Sequence, residues 1–290
     1  MQVFAVNDAY RTEGSQNATL RNVGTNPPNG VVFNYYLKDA TDSSKVSITI
    51  FDKKGGIIQT FSRTAKDSTN KLDFNQGMNQ FVWNMQYPAA EKIEGMILWN
   101  GNVGSPKAAP GRYTARFRYA NDSADVPFTI KADPNYKMTE VDYDTQVNFL
   151  LKISNKFSEV QKAIKDIRLI RSQLTEFTSR ADSSGKDLKP LADTINKKLT
   201  AVEEALYQTK AKSGQDVLNF PIRLNDKISG IYDFAASGNN PPSQQAIESF
   251  TYLSAEADKH LAVFKQVMQN EVRQLNQLIY QKTIPVIGVK

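Results

Sequence analysis

The run VPFTIKADPNYKMTEVDYDTQVNFLLKISNKFSEVQKAIKDI, Val126 to Ile167, contains the change of pattern that decides the fold. Its opening residues end a section written with period two. Asp133-Pro134-Asn135 stops that section, because proline disfavours both continuing a strand and entering a helix directly. Thr139 then stands three residues before Asp142, the spacing of a capping box. The hydroxyl can accept a free backbone N–H, and the carboxylate favours the positive end of a helix. From there Leu150, Ile153, Phe157, Val160, Ile164 and Ile167 step by threes and fours, and Leu174 continues the register. This is a heptad seam. It predicts a helix of about 40 residues, about 60 Å long at about 1.5 Å per residue.

Upstream, Val46-Ser47-Ile48-Thr49-Ile50-Phe51 alternates as a half-buried strand does. Asp52-Lys53-Lys54-Gly55-Gly56 supplies a turn, and Ile57-Ile58-Gln59-Thr60-Phe61 reads as the returning strand. Further strands are predicted at 31–37, 80–86, 112–119 and 126–131. Turn residues separate them: Asn26-Pro27-Pro28-Asn29-Gly30, Asn100-Gly101-Asn102-Val103-Gly104 and Pro110-Gly111. Many short strands punctuated in this way predict a β-sandwich over 1–135.

Downstream, Ser183-Ser184-Gly185 ends the first helix. A second helix is predicted over 188–210 and a third over 221–236, with Pro221 suited to a first turn. Gly238-Asn239-Asn240-Pro241-Pro242 forces a loop. The fourth helix starts near Ser243, with Phe250, Leu253, Ala257, Leu261, Phe264, Met268, Leu275 and Leu278 inward. Short turns between successive helices predict an up-down antiparallel bundle of about four helices over 136–290. The first and last are expected to pair along most of their length, since each carries a long apolar stripe. The fold class is therefore multidomain β + α.

Composition narrows the function. The 290 residues are long enough for roughly two domains, each with its own core. No cysteine is present and His260 is the single histidine, which removes disulfide scaffolds, thiol nucleophiles, zinc fingers and multi-histidine metal sites. No metal or other cofactor is expected. The net charge of +6 is spread thinly: 16 Lys+Arg against 12 Asp+Glu up to residue 137, and 20 against 18 after it. That distribution lacks the basic stripe nucleic-acid binding uses, so nucleic acid is not an expected partner. The longest apolar runs, such as Met96-Ile97-Leu98-Trp99, fall far short of the roughly 20 residues of a membrane span. The first residues carry no signal-peptide pattern and already alternate like a strand. The chain is accordingly expected to be a piece of a longer protein.

Few residues suggest chemistry. Trp83 alternates with Phe81 and Met85 and reads as core. Trp99 lies beside loop residues and is the better ligand candidate, with Tyr87 as a second exposed-aromatic candidate. Glu91 and Glu94 are close enough in sequence to suggest a glycosidase pair, but nothing around them sets their acidities apart. No catalytic residue is assigned. His260, on the edge of the last seam, reads as a packing or surface residue.

Several of these stretches carry a family resemblance. The run from Asn26-Pro27-Pro28-Asn29-Gly30 to Tyr35-Tyr36-Leu37 resembles the entry to an immunoglobulin-like domain of the flagellar hook-capping type. Gly77-Met78-Asn79-Gln80-Phe81-Val82-Trp83 and Ala109-Pro110-Gly111-Arg112-Tyr113 resemble its later strands. Gly95-Met96-Ile97-Leu98-Trp99, Asp133-Pro134 and Ala163-Ile164-Lys165-Asp166-Ile167-Arg168 are similar to the C-terminal region of large exported bacterial proteins. Those proteins carry a sortilin-like propeller of BNR/Asp-box repeats and are named as glycosyl hydrolases. The resemblance implies an extracytoplasmic parent with a propeller upstream, any hydrolase chemistry residing there. The Asp-box pattern Ser-x-Asp-x-Gly-x-x-Trp does not occur in this sequence. The chain is thus expected to be a non-catalytic accessory module with a protein or glycan partner. The alternative is a carbohydrate-binding module using exposed aromatics of the sandwich.

Overall fold

The structure is a computed structural model that describes residues 1–12, 28–41, 45–99, 103–180 and 185–282. The expected turn residues at 26–27, 100–102 and 183–184 lie outside the described residues. The chain is mixed β + α. Its strands are β1 (Gln2–Val3), β2 (Ala9–Arg11), β3 (Val31–Leu37), β4 (Val46–Phe51), β5 (Ile57–Ser62), β6 (Gly77–Trp83), β7 (Gly111–Tyr119) and β8 (Asp122–Ala132). Its α-helices are α1 (Glu140–Arg180), α2 (Lys189–Leu206), α3 (Leu224–Ala236), α4 (Gln244–Val267) and α5 (Arg273–Gln281). A π turn at Met268–Val272 joins the last two into one continuous rod.

The described strands form two sheets, in the orders β1-β3-β6 and β2-β8-β7-β4-β5. All pairings are antiparallel except β2 with β8, which is parallel. Alternation decides which side chains turn inward: Val31, Phe33, Tyr35 and Leu37 from β3, Ile48 and Ile50 from β4, and Ala115 and Phe117 from β7 are fully buried. They share one core, in which Phe33 of the smaller sheet meets the Phe128 ring edge-on at 5.3 Å and Phe117 at 5.7 Å. Trp83 is 1% exposed, packs edge-on against Phe128 and donates its indole N–H to the Gln86 carbonyl. The Tyr113 hydroxyl, also buried, donates to the Ala109 carbonyl at 2.7 Å.

Two glycines are required by geometry. Gly55 sits in the β4–β5 turn at φ +82°, where Asp52 Oδ1 accepts the amides of Lys54 and Gly56. Gly30 lets the chain pass so close to β6 that a Cβ there would lie 2.5 Å from the Trp83 carbonyl oxygen. The strand expected at 80–86 ends at Trp83 instead. Met85, fully buried, takes φ +61°, a conformation that breaks a strand, and its carbonyl accepts the Ala108 amide.

The chain divides into two compact units that do not follow a single cut. One contains Met1–Ala89, Ser105–Leu150 and Ala236–Pro242; the other contains Ala90–Gly104, Leu151–Ala235 and Ser243–Lys290. In the sheet unit, the 236–242 loop is held from within. Arg11, 3% exposed, donates Nη1 to Asn239 Oδ1 and lies over the Tyr143 ring at 4.9 Å. Gln146 accepts from Arg11 Nη2 and donates to the Gly238 carbonyl at 2.8 Å.

α1 begins as the sequence predicts, its start within the sheet unit and its residues from Leu151 onward in the helical unit. Thr139 and Asp142 exchange both capping-box bonds, the Thr139 amide to Asp142 Oδ2 at 3.0 Å and the Asp142 amide to Thr139 Oγ1 at 3.2 Å. Ile153, Phe157, Val160, Ile164 and Ile167 are all fully buried. Directions follow from the pairings. Arg171 and Arg168 reach back to Asn196 and Glu203, so α1 and α2 are antiparallel. Lys198 pairs with Glu271 and Asp187 with Lys282, so α2 and the α4–α5 rod are antiparallel. α1 and α4 therefore run the same way, joined by Lys156 to Asp258 at 2.7 Å and Glu159 to Lys265 at 3.7 Å. α3 and α4 together line a groove, α3 with Lys227, Ile231 and Phe234 and α4 with Gln245, Ser249 and Leu253. Four successive up-down helices would instead set the first and last antiparallel.

The closest helix-to-helix backbone approach is α2 with α4. On the last rod the buried positions are Ala246, Ala257, Leu261, Val267 and Leu275, whereas Leu253, Phe264 and Met268 are half-buried. The π turn holds one extra residue in its turn and shifts the buried register there.

Candidate functional site

The segment Ala90–Gly104 belongs to the helical unit, so Trp99 does too. Its alternation is irregular, and its described residues form neither strand nor helix. Three of its backbone amides are instead captured by side chains. Glu91 N–H donates to Ser158 Oγ at 3.1 Å, Ile97 N–H to the Tyr207 hydroxyl at 3.2 Å, and Trp99 N–H to Asp226 Oδ2 at 2.8 Å. The acceptors come from α1, the end of α2 and the first turn of α3. Tyr207 and Asp226 are both buried. Val103 is fully buried and anchors the far end of the segment.

Each acceptor is itself held. Ser158 donates to the Ser154 carbonyl at 2.8 Å. The Asp226 amide donates to Asn225 Oδ1 at 2.8 Å, and its carbonyl accepts the Ser229 hydroxyl. Arg168 lies over the Tyr207 ring at 5.0 Å while donating to buried Glu203. The result is a fixed backbone carrying a tryptophan that is 48% exposed. A large flat ring held in water without freedom to fold away is an anchor for binding, since little conformational entropy is lost when it is covered.

Tyr87, the other aromatic expected to meet ligand, is placed differently. It belongs to the sheet unit and packs half-buried on that core. Burial, reinforced by Asp52 and Asp144, pushes its phenol up to about 12. Tyr35, fully buried and with no hydrogen-bond partner for its hydroxyl among the described residues, is pushed up to about 12 by burial alone. A free phenol ionises near 10. Between pH 10 and 12 the unfolded chain therefore releases protons that the folded chain keeps, and stability falls as pH rises through that window. We expect Tyr35→Phe and Tyr87→Phe each to lessen the alkaline loss, and Tyr35→Phe also to stabilise at neutral pH by removing an unpaired hydroxyl. Urea midpoints from pH 8 to 12 check this; identical pH dependence in wild type and both variants contradicts it.

Glu91 and Glu94 are both exposed, and neither lies among the residues lining the described pockets. His260 is half-buried and lines a cavity of about 500 Å³ between α2 and the last rod, with Lys198, Gln266, Asn270 and Glu271. Lys198 and Glu271 are occupied with each other there, and that bond holds the Glu271 carboxyl below its ordinary range. Among the described residues no group of three or more His, Cys, Asp or Glu side chains is placed to hold a metal. No helix among the described residues is long and apolar enough to cross a membrane.

Sequence reasoning missed Ser158, Tyr207 and Asp226. Asp226 carries a weak signal, an acid in a first turn. The side chain turns away from its own helix to a segment more than 100 residues earlier, which no local pattern announces.

No protein-family model matches the chain, and no curated protein matches it. Among solved structures, one titled "pT26-6p" aligns over 82% of this chain at 11% identity, with a TM-score of 0.15. The chain spans about half of that protein's length, 47%. A likeness at that level carries no argument about fold or function.

Proposed function

We propose that this chain is a non-catalytic interaction module that binds through Trp99, the C-terminal accessory part of a larger exported protein with a sortilin-like propeller upstream. The observation that carries the reading is the half-exposed Trp99 on a backbone fixed by Asp226 and Tyr207. Its exposure, with Glu91 and Glu94 also exposed beside it in sequence, supports recognition over hydrolysis.

An immunoglobulin-like sandwich is the fold we infer for the sheet unit. Its support is the strand order, in which the first strand pairs in one sheet and the second crosses to lie parallel to the last in the other. Tyr113, near the start of β7 with its hydroxyl on the Ala109 carbonyl, matches the tyrosine corner of such domains. We take the helical unit as the accompanying long-helix bundle, and the location as extracytoplasmic through the parent. The second reading, carbohydrate binding through an exposed aromatic, rests on the same Trp99.

The test starts from the full gene. The upstream segment is produced separately, and its binding to this chain is measured with Trp83→Phe as background and 5-hydroxytryptophan incorporated at Trp99, whose red-edge excitation sets it apart from the tryptophans and tyrosines of both partners. We expect a blue shift on binding and a loss of about 30-fold or more in affinity for Trp99→Ala. Neutral oligosaccharides giving the shift instead would select the second reading. An upstream segment without a propeller, or turnover of aryl glycosides abolished by Glu91→Gln or Glu94→Gln, would overturn the first.

A further inference from the structure

The outward face of the five-stranded sheet has a composition unlike the rest of the molecule. On β7 the inward residues are Tyr113, Ala115 and Phe117, so Arg112, Thr114, Arg116 and Arg118 turn outward, successive ones about 7 Å apart. The register sets Thr129 of β8 beside Arg112, Thr49 and Asp125 beside Arg116, and Ser47 and Ser123 beside Arg118. Arg116 is already engaged, forking onto Asp125 with both bonds at 2.7 Å. Arg112 and Arg118 are exposed, and no ion pair or side-chain hydrogen bond holds either among the described residues, although Arg118 stands near enough to help Arg116 hold the Asp125 carboxyl below its ordinary range. At the Arg112 end the face opens into a groove of about 500 Å³, lined also by Lys53, Thr129 and Lys131 and, on its acidic side, by Glu140. Lys53 lies across Gly111, where a Cβ would sit 2.4 Å from its Cε, so the bare backbone is what admits it.

We propose that this face binds an acidic polysaccharide, the Arg112 and Arg118 guanidinium groups taking its carboxylates and the Ser and Thr hydroxyls its hydroxyls. A guanidinium with no protein partner recognises a carboxylate through two parallel bonds, and its planar fork fixes direction as well as charge. Asp125 and Glu140 break the positive field, so recognition depends on where the free arginines stand and not on a general excess of charge. A single-stranded nucleic acid would need aromatic platforms for its bases. The face offers Phe51, already covered by Arg116 at 5.1 Å, and Tyr10, which neighbours Lys131. An acidic protein would need an apolar centre to bury, which a grid of Ser, Thr and Arg does not provide. This site is independent of Trp99.

Affinity electrophoresis of the full chain through gels containing polygalacturonate tests the proposal, with gels containing neutral dextran as reference. Retardation by polygalacturonate and not by dextran is expected, and it should weaken in 0.5 M salt, about three times the physiological level. Arg112→Ser with Arg118→Ser should reduce the affinity by about tenfold or more. Lys165→Ser with Lys197→Ser, which removes the same charge from the helices, should leave it near wild type. Equal loss in the two double variants would reduce the effect to net charge and overturn the proposal. So would tighter binding to oligo(dT) or to an acidic protein than to polygalacturonate, or no retardation at all.

Discussion

Ile164→Asp is expected to unfold the helical unit, while Lys165→Asp, one step round the same helix, leaves it folded. Ile164 is fully buried at the centre of the α1 seam, with Val160 and Ile167 a turn to either side. The substitution removes apolar contacts worth about 1.5–3 kcal/mol and places a carboxylate where water cannot reach it. Together these exceed about 4 kcal/mol, a large share of what holds a domain of this size folded. Lys165 is exposed, and reversing its charge should change stability by no more than about 0.5 kcal/mol. Urea denaturation followed by far-ultraviolet circular dichroism reads both. Equal midpoints for the two variants would show that the buried face of α1 is misassigned.

The second large effect concerns Glu203, 3% exposed on α2 and held by two arginines of α1. Arg168 Nε meets one carboxylate oxygen at 2.7 Å and Arg171 Nη1 the other at 2.6 Å. The two sides of this triad are unequal, because the arginines keep 39% and 33% of their side-chain surface while the glutamate keeps almost none. Removing both arginines, by Arg168→Ala with Arg171→Ala, leaves a buried carboxylate with no counter-charge, at a cost of about 3–5 kcal/mol. Glu203→Leu instead leaves two guanidinium groups that water can reach and fills the space with an apolar side chain. It should cost about 1–2 kcal/mol after allowing for that hydration. The double arginine variant should therefore melt well below Glu203→Leu. The reverse order would mean that the carboxylate gains water when the arginines go.

Local pattern carried most of the elements. β3 and β4 stand where alternation predicts them, and α1 starts at its capping box because Thr139 and Asp142 need only each other. Ser243 likewise caps α4 by accepting the Ala246 amide. What local pattern could not carry was everything decided by distant partners. β2 has three residues and exists because β8 offers an edge to it, so no alternation marks it. The π turn at Met268–Val272 leaves the seam residues looking regular in sequence while moving burial from Met268 to Val267. The parallel course of α1 and α4 could not be read from turn lengths, because it shows only in ion pairs between distant residues, Lys156 with Asp258 and Glu159 with Lys265. Trp99 was legible as a candidate from its flanking residues. Its support by Ser158, Tyr207 and Asp226 was not, since those residues are ordinary for a helix.

The bond from Arg11 to Asn239 spans 228 residues of chain. At the about 5–20 residues per second of protein synthesis, Asn239 emerges roughly 10–50 s after Arg11. Over that interval the strands of the sheet unit can pair, and Gln146 can receive one arm of the guanidinium, but the Asn239 amide is still missing. The sheet unit therefore matures late: its final closure waits for a loop made 228 residues after Arg11, however early its strands are made. A nascent chain arrested before residue 236 would hold nearly all of that unit's sequence and still lack the piece that closes over Arg11.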